Sequence, residues 1–304
     1  MPESVLNNTT NANFIPTIIA QKALGRLSSY LSVGKNVTKD NELTTASFGQ
    51  TIQVPKRGAV SANDKTAGVV YTKQNPTATN VSVTLNKHKE VTFAIDDVTK
   101  VLENQDTQSG YGEDGAIALA EAIETDLLAL HTSISNTVTW DRTSAATIDT
   151  SLLLARKFFT DQKVPKLDKK FMAVDATVLN DLLKQEKYTN QSWRGDQNTV
   201  AEGVMVKTYG FDIEESQLIP VTGSPVAYHN LAYTRGGLVL ASRPLPRPVG
   251  FGGNYAVIND TGVGIALRTL FWYNADTASH QLTLDVLYGV AILDTRKVVE
   301  IESV

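Results

Sequence analysis

Apolar and polar side chains alternate along residues 81–95, and the alternation passes through a charged centre without a change of phase. The residues on one face are Val81, Val83, Leu85, Lys87, Lys89, Val91, Phe93 and Ile95. A tight turn at Lys87–His88 would favour Gly or Asn-Gly, so the pattern predicts one extended segment. Such a segment spans about 50 Å at about 3.3 Å per residue, whereas the usual strand has about five or six residues. We therefore predict a strand that leaves the body of its domain.

A second extended segment, residues 48–58, alternates Ile52 and Val54 with polar neighbours and then reaches Pro55. The stretch that follows, 59–80, is rich in small, polar and turn-forming residues and offers little to a core. The two extended segments and this polar tip predict a β-hairpin that projects from the body. Because an isolated two-stranded hairpin is marginally stable in water, we expect another molecule to support it.

Two segments have the three-to-four-residue period of amphipathic helices. The first covers residues 14–31 and follows an Asn/Thr-rich start. The second is a long helix over about residues 110–135, with acidic residues near its start that suit the positive end of the helix dipole. We expect it to begin between Ser109 and Gly115. The apolar stripe of the first helix contains Ile19, Ala23 and Leu27, and that of the second contains Ala116, Leu119, Ile123, Leu127, Leu130 and Ile134.

From Thr143 onward the pattern mixes helices and strands. It predicts a helix at 149–162, a buried strand at 169–175, a helix at 176–188 and strands around a turn at Gly210. This mixed α+β or α/β lobe ends in a Pro/Gly-rich connector at 242–253. Long alternating segments follow it at 263–276 and 279–301. They have the β character of residues 81–95, so we infer that the C-terminal strands return to pair there, in a fold of the α+β class.

Composition limits the functions that are open to the chain. It has 304 residues, a formal net charge of -4 and no cysteine. The acidic balance argues against a protein that binds nucleic acid by neutralising many phosphates. The lack of cysteine excludes disulfides, thiolate catalysis and cysteine-ligated metals. The N-terminus has a polar start unlike a signal peptide, and no apolar run approaches the about 20 residues of a membrane span. Synthesis and residence in a cytoplasm is the default expectation.

Two of the four histidines lie in charged surroundings. His88 is flanked by lysines, and Glu90 is the carboxylate nearest to it in sequence. We interpret it as a solvated contact. His131 follows Glu121 and Glu124 on the long helix, but Glu124 and His131 are seven positions apart, a spacing that does not suit a shared metal ion. We interpret that group as a solvated helix face.

The remaining chemical motifs are weak. His229 and His280 have no catalytic partner at a recognised motif spacing, which favours structural roles. The glycines of "GFGG" (250–253) and "TGVG" (261–264) lack the spacing and the strand-to-helix context of a dinucleotide-binding loop, and a phosphate-binding loop motif is absent. No cofactor, metal or catalytic residue is therefore predicted. An enzyme remains open only through residues that converge in three dimensions.

The order of these elements resembles the Hong Kong 97-type capsid fold of tailed-bacteriophage major capsid (coat) proteins. "FIPTIIAQKAL" (14–24) and "FGQTIQVPKRG" (48–58) look like that family's arm and first extended-loop strand. "VTLNKHKEVTFAIDDV" (83–98) is similar to its strand from the extended loop into the peripheral domain. The segments that look like its axial domain and closing strands are "FMAVDATVLNDLLKQ", "GFDIEESQLIP", "LVLASRPLP" and "LTLDVLYGVAILDTRKVV". Order and spacing carry this resemblance, which covers most of residues 14–300.

The resemblance implies a division of the chain. Residues 1–45 would form an N-terminal arm and 46–80 the extended hairpin loop. Residues 81–142 and 255–304 would form the peripheral domain, with its long spine helix at about 110–135, and 143–254 the axial domain. The hairpin would lie over a neighbouring subunit, and the axial domain would meet its copies around the local symmetry axis. The predicted inter-subunit contacts are Lys56, Arg57, Lys65, Lys73, Lys87, His88, Lys89 and Glu90.

The resemblance also implies partners and a location. Pentamers and hexamers of the chain would assemble in the cytoplasm of a host bacterium and tile the icosahedral shell of a virion around double-stranded DNA, without sequence-specific binding. The chain has no long charged N-terminal scaffold of its own, so a separate scaffolding protein is expected, with a portal and a decoration protein as further partners. Nothing in the sequence identifies a carboxylate that would catalyse lysine-asparagine cross-linking. Two alternatives stay open: an encapsulin-like nanocompartment shell, and a soluble enzyme with an unrecognised site.

Overall fold

The computed structural model describes residues 14–41, 47–56, 58, 60–75, 79–96, 105–141, 143–189, 205, 207–260 and 264–303. The helices in this part are α1 (Phe14–Tyr30), α2 (Val33–Asn36), α3 (Gln105–Leu128), α4 (Ala145–Asp161), α5 (Ala176–Leu183) and α6 (Glu186–Thr189), with 3-10 turns at Ala129–Ser133 and Thr295–Lys297. The strands are β1 (Thr38–Asn41), β2 (Thr51–Lys56), β3 (Thr79–Thr84), β4 (Lys87–Asp96), β5 (Thr137–Trp140), β6 (Lys170–Val174), β7 (Phe211–Glu215), β8 (Val221–Thr222), β9 (Ala227–Thr234), β10 (Leu238–Arg243), β11 (Asn254–Asp260), β12 (Ile265–Asn274), β13 (Ser279–Ile292) and β14 (Val298–Ser303). Within these ranges, no helix combines the length and the apolar character that crossing a membrane requires.

The first sheet is built around the long strand β13. Its order is β1-β10-β13-β12-β11, and β4 also pairs with β13. The β4–β13 pairing is antiparallel and runs from Asp96 opposite Ser279 to Lys87 opposite Tyr288. The predicted return of the C-terminal strands to the 81–95 segment is therefore confirmed.

The predicted extended segment divides into two strands with different partners. β4 stays in the first sheet, whereas β3 pairs with β2 in a separate two-stranded sheet. The predicted alternation still holds through the junction, because Val83 and Leu85 are buried and Ser82, Thr84 and Asn86 are exposed. A strand that leaves the body of its domain, as part of a hairpin, is confirmed.

A glycine marks the place where the hairpin crosses the first sheet. A Cβ added at Gly289 of β13 would overlap the carbonyl oxygen of Thr84, the last residue of β3. Only a residue without a side chain lets the two backbones approach so closely. The direction in which the hairpin leaves the body is therefore fixed by a backbone contact.

Helices α1 and α3 pack against each other and against the first sheet. Both predicted apolar stripes are largely buried, and they form one core with β10, β12 and β13. Helix α3 begins at Gln105, earlier than the predicted start between Ser109 and Gly115, and a 3-10 turn extends it to Ser133. The difference has a simple reason: the first turn of α3 is polar, so periodicity could not reveal it.

The second sheet has the order β5-β14-β9-β6-β7, with β8 paired to β9. Helices α4 and α5 contribute to its core, and both start at capped N-termini. The Ser144 Oγ accepts a hydrogen bond from the Thr147 backbone N–H at 3.2 Å, and an Asp175 carboxylate oxygen accepts one from that of Thr177 at 2.8 Å. Such caps satisfy amides that a helix leaves without partners. The predicted helix at 149–162 and the strand at 169–175 are confirmed, whereas the predicted helix at 176–188 is divided into α5 and α6 by a break after Leu183.

Three strands do not lie in the same sheet as most other strands of the domain to which the predicted boundaries assign them. β5 and β14, which were predicted with the peripheral domain, belong to the second sheet. β10, which was predicted with the axial domain, belongs to the first sheet. Alternation identifies a strand but not its partner, so the pairing could not be read from the pattern. The boundaries themselves stay a prediction.

Candidate functional site

The root of the hairpin has a small hydrophobic core of its own. Val54, Val83 and Leu85 are buried against Val239, Ala241 and Leu287 of the first sheet. The Leu85 backbone N–H donates to the Gln50 carbonyl oxygen at 2.9 Å, which closes the base of the hairpin. The root is therefore anchored to the subunit that carries it.

The tip of the hairpin is exposed throughout. All described residues from 60 to 75 are exposed. Four of them are large apolar side chains, with exposed fractions of 69% for Val60, 59% for Val69, 86% for Val70 and 77% for Tyr71. Clustered apolar surface on a projecting element is typical of a protein–protein contact. We call residues 60–75 the hairpin tip.

The predicted contact residues of the hairpin have different surroundings. The Lys56 Nζ lies 3.1 Å from an Asp294 carboxylate oxygen, at the root. The Lys65 Nζ lies 5.0 Å from the centre of the Tyr71 ring, within the tip. Lys73 is exposed. Arg57 lies outside the described residues.

The Asp294 carboxylate pairs with two basic side chains at the root of the hairpin. Burial by itself raises its pKa, but hydrogen bonds from Arg296 and Lys56 outweigh burial and lower the pKa to about 2. The Arg296 guanidinium lies 2.9 Å from the second carboxylate oxygen. Asp294 therefore stays ionised down to low pH.

Two of the four charged residues at 87–90 contact carboxylates of their own subunit. The Lys87 Nζ lies 3.0 Å from an Asp126 carboxylate oxygen of α3. The His88 Nε2 lies 3.1 Å from an Asp285 carboxylate oxygen of β13, and the His88 side chain is 38% exposed. Its carboxylate partner thus comes from a strand that is distant in sequence, which the neighbouring residues could not indicate.

The other two charges of this centre face outward. Lys89 and Glu90 are exposed, and Glu90 accepts a hydrogen bond of 2.5 Å from the Thr92 hydroxyl. Of residues 87–90, His88, Lys89 and Glu90 are exposed and thus accessible to a neighbouring molecule, and Lys87 is half-buried.

The interpretation of Glu124 as part of a solvated helix face is wrong. Glu124 is 2% exposed. Its carboxylate accepts hydrogen bonds from the backbone N–H groups of Val33 at 3.2 Å and Gly34 at 2.8 Å, at the start of α2. Burial raises its pKa, and these hydrogen bonds oppose that effect. Glu124 thus joins the N-terminal segment to α3.

The interpretation of His131 as solvated is also wrong. His131 is buried, and its ring stacks on the His229 ring with 4.2 Å between centroids. Burial and the neighbouring His229 lower the pKa of His131. Both rings contact Glu300, which comes from a third element. His280 packs beside the rings of Phe271 and Tyr273.

The architecture matches solved capsid structures. A structure from Mycobacterium phage Che8 aligns with a TM-score of 0.61 and 19% identity, covering 83% of this chain and 84% of that one. The capsid of cyanophage P-SCSP1u aligns with a TM-score of 0.61 and 15% identity, covering 88% and 86%. A virus-like particle from Pyrococcus furiosus aligns with a TM-score of 0.52 and 10% identity, covering 93% and 97%. The fold is therefore the Hong Kong 97-type fold of shell-forming proteins.

The family follows from the sequence. The profile of the phage capsid protein family matches residues 30–244, which is more than half of the chain. No curated protein sequence matches it. The chain belongs to the phage capsid protein family, and the predicted fold class and resemblance are confirmed.

Proposed function

We propose that this chain is the major capsid protein of a bacteriophage and that it assembles, as pentamers and hexamers, into an icosahedral shell around double-stranded DNA. Membership of the phage capsid protein family supports this role. The observation that carries it furthest is the hairpin, which has an anchored root and an exposed tip with four large apolar side chains.

The hairpin tip lies over a neighbouring subunit in this proposal. No residue of the tip is buried within its own subunit, and four of its apolar side chains are exposed to solvent. A second copy of the chain covers such a surface at every position of a symmetric shell. The tip therefore contributes to assembly and not to folding.

The charged residues at the loop and its root contribute further contacts. Lys65, Lys73, Lys89 and Glu90 are exposed and reach the neighbouring subunit. Lys56, Lys87 and His88 act at the base of the hairpin, where their partners in the same subunit orient them. None of these residues has a catalytic role, and the shell forms without lysine-asparagine cross-linking.

The remaining partners follow from the composition and the family. A net charge of -4 gives the shell weak attraction for phosphates, which leaves the packaged DNA free to move. A separate scaffolding protein directs assembly in the cytoplasm of the host bacterium, and a portal protein and a decoration protein complete the virion.

A nanocompartment shell is the second candidate. Similarity to the virus-like particle from Pyrococcus furiosus favours it, although the TM-score of 0.52 is lower than the 0.61 of the two phage structures above. Gel filtration with electron microscopy of the purified chain separates the candidates. Large shells or tubes support the phage capsid, and shells of one small fixed size loaded with protein support the nanocompartment. Monodisperse small oligomers would contradict both.

A further inference from the structure

Two histidines and a glutamate meet at the joint between the spine helix and the second sheet. His131 comes from the 3-10 turn that ends α3, His229 from β9 and Glu300 from β14. One ligand atom from each lies within 4.8 Å of the other two. The three residues are 8%, 9% and 8% exposed respectively, so the cluster is buried but not sealed.

The donor set is of the kind that binds a transition metal. Two imidazoles and one carboxylate are common ligands of Zn²⁺, which often keeps a further position for water. The His131 Nδ1 lies 3.4 Å from the Glu300 Oε1. That separation equals the edge of a tetrahedral site with bonds of about 2.1 Å, which is about 3.4 Å.

The third ligand, His229, forms a hydrogen bond with Glu300, and a bound metal ion would replace this hydrogen bond. The His229 Nδ1 lies 2.6 Å from the same Glu300 Oε1, which is a hydrogen-bond distance. An ion between these atoms needs them to separate by about 1 Å. The two rings are stacked, 4.2 Å apart with 18° between their planes, so they must also turn until both Nδ1 lone pairs point at the ion. Metal binding would release the proton that now joins them.

Outer partners orient two of the three ligands. The His229 Nε2 forms a hydrogen bond of 2.5 Å with the Thr222 hydroxyl. The Thr137 hydroxyl donates to the Glu300 Oε2 at 3.3 Å, which leaves the Oε1 directed toward the histidines. Metal sites in proteins hold their ligands through such second contacts.

We propose that His131, His229 and Glu300 form a binding site for a divalent transition-metal ion of the Zn²⁺ class, which ties the end of the spine helix to the second sheet. None of its three residues is among those proposed to contact a neighbouring subunit. An ion that binds the folded state but not the unfolded state would stabilise this joint.

Zinc uptake by the purified full chain tests the proposal. The chain is stripped with EDTA, loaded with ZnCl₂ and desalted, and bound zinc is measured by mass spectrometry. We expect one zinc per subunit and a Tm that rises with zinc concentration. Co²⁺ should give the visible absorption of a low-symmetry site. A parent chain that takes up no zinc would overturn the proposal without any variant being needed.

Matched variants locate the ion. His131→Gln and His229→Gln each remove one ligand, and we expect zinc affinity to fall by about 100-fold or more. His88→Gln is the control, because it removes a half-exposed histidine that also contacts a carboxylate. Circular dichroism checks that each variant is folded. Unchanged zinc affinity in folded His131→Gln or His229→Gln, or an equal loss in His88→Gln, would overturn the proposal.

Discussion

Replacement of the hairpin tip should separate assembly from folding. We consider a variant in which residues 60–75 are replaced by a short Gly/Ser linker, which leaves the paired residues of β2 and β3 in place. Every described residue in this range is exposed, so the subunit loses no core. We expect its free energy of unfolding to change by less than about 0.5 kcal/mol, as for other exposed substitutions.

The effect on assembly should be much larger. Complete burial of an apolar side chain of this size stabilises by about 1.5–3 kcal/mol. If a neighbour covers half of each of the four apolar side chains of the tip, each loop contributes about 3–6 kcal/mol. Because about 1.4 kcal/mol is a tenfold change in an equilibrium constant, each contact should weaken by about 100-fold or more. The variant should remain as free subunits or small oligomers.

Sedimentation velocity and circular dichroism together provide the assay. A second variant, Val70→Ser/Tyr71→Ser, removes only the two most exposed apolar side chains of the tip. Asn63→Ser in the same loop is the matched control, because it changes an exposed polar side chain that is not a proposed contact, and it should leave assembly unchanged. Normal shells from the tip replacement would show that the loop is dispensable. An unfolded replacement variant would place the tip in the core of the subunit.

Three further changes test other parts of the account. Glu124→Ala leaves two buried backbone amides without an acceptor, so it should lower the free energy of unfolding by about 2–4 kcal/mol in denaturant titrations. The control, Glu121→Ala at an exposed position of the same helix, should change it by less than about 0.5 kcal/mol. Equal effects of the two variants would contradict the capping role of Glu124. Gly289→Ala should force the hairpin away from β13, so that subunits fold but fail to sediment as shells, and normal shells would show that the crossing is not required. The pKa of Asp294 is lowered to about 2, so its stabilisation is complete above the unfolded value of about 3.9 and is lost as the pH falls toward 2. Asp294→Asn should therefore reduce the loss of stability in acid titrations between about pH 4 and 2, and an unchanged acid transition would refute this.

The elements that local periodicity defines were predictable from the sequence. The alternation through residues 81–95, the core-poor composition of the tip and the apolar stripe of α3 each depend on neighbours within a few residues, and each is confirmed. The sequence pattern did not single out the four exposed apolar side chains of the tip. Their order was enough to indicate the capsid fold. The polar first turn of α3 and the exchange of strands between the two sheets left no such local signal.

The buried polar groups were not predictable in the same way. Glu124 meets amides about 90 residues earlier in the chain, so its burial has no signature in the surrounding helix. His131, His229 and Glu300 come from three elements that converge only after folding. Single-sequence reasoning assigned two of these residues, Glu124 and His131, to a solvated face because their spacing matched no motif.

The placement of the hairpin in an assembled particle tests the central claim most directly. A cryo-electron microscopy reconstruction of shells formed by the full chain, produced with its scaffolding protein where one is required, resolves the contacts of residues 60–75. The account predicts pentamers and hexamers in which Val70 and Tyr71 are buried against an adjacent subunit. A hairpin that folds back onto its own subunit, or particles in which the tip remains in solvent, would contradict it.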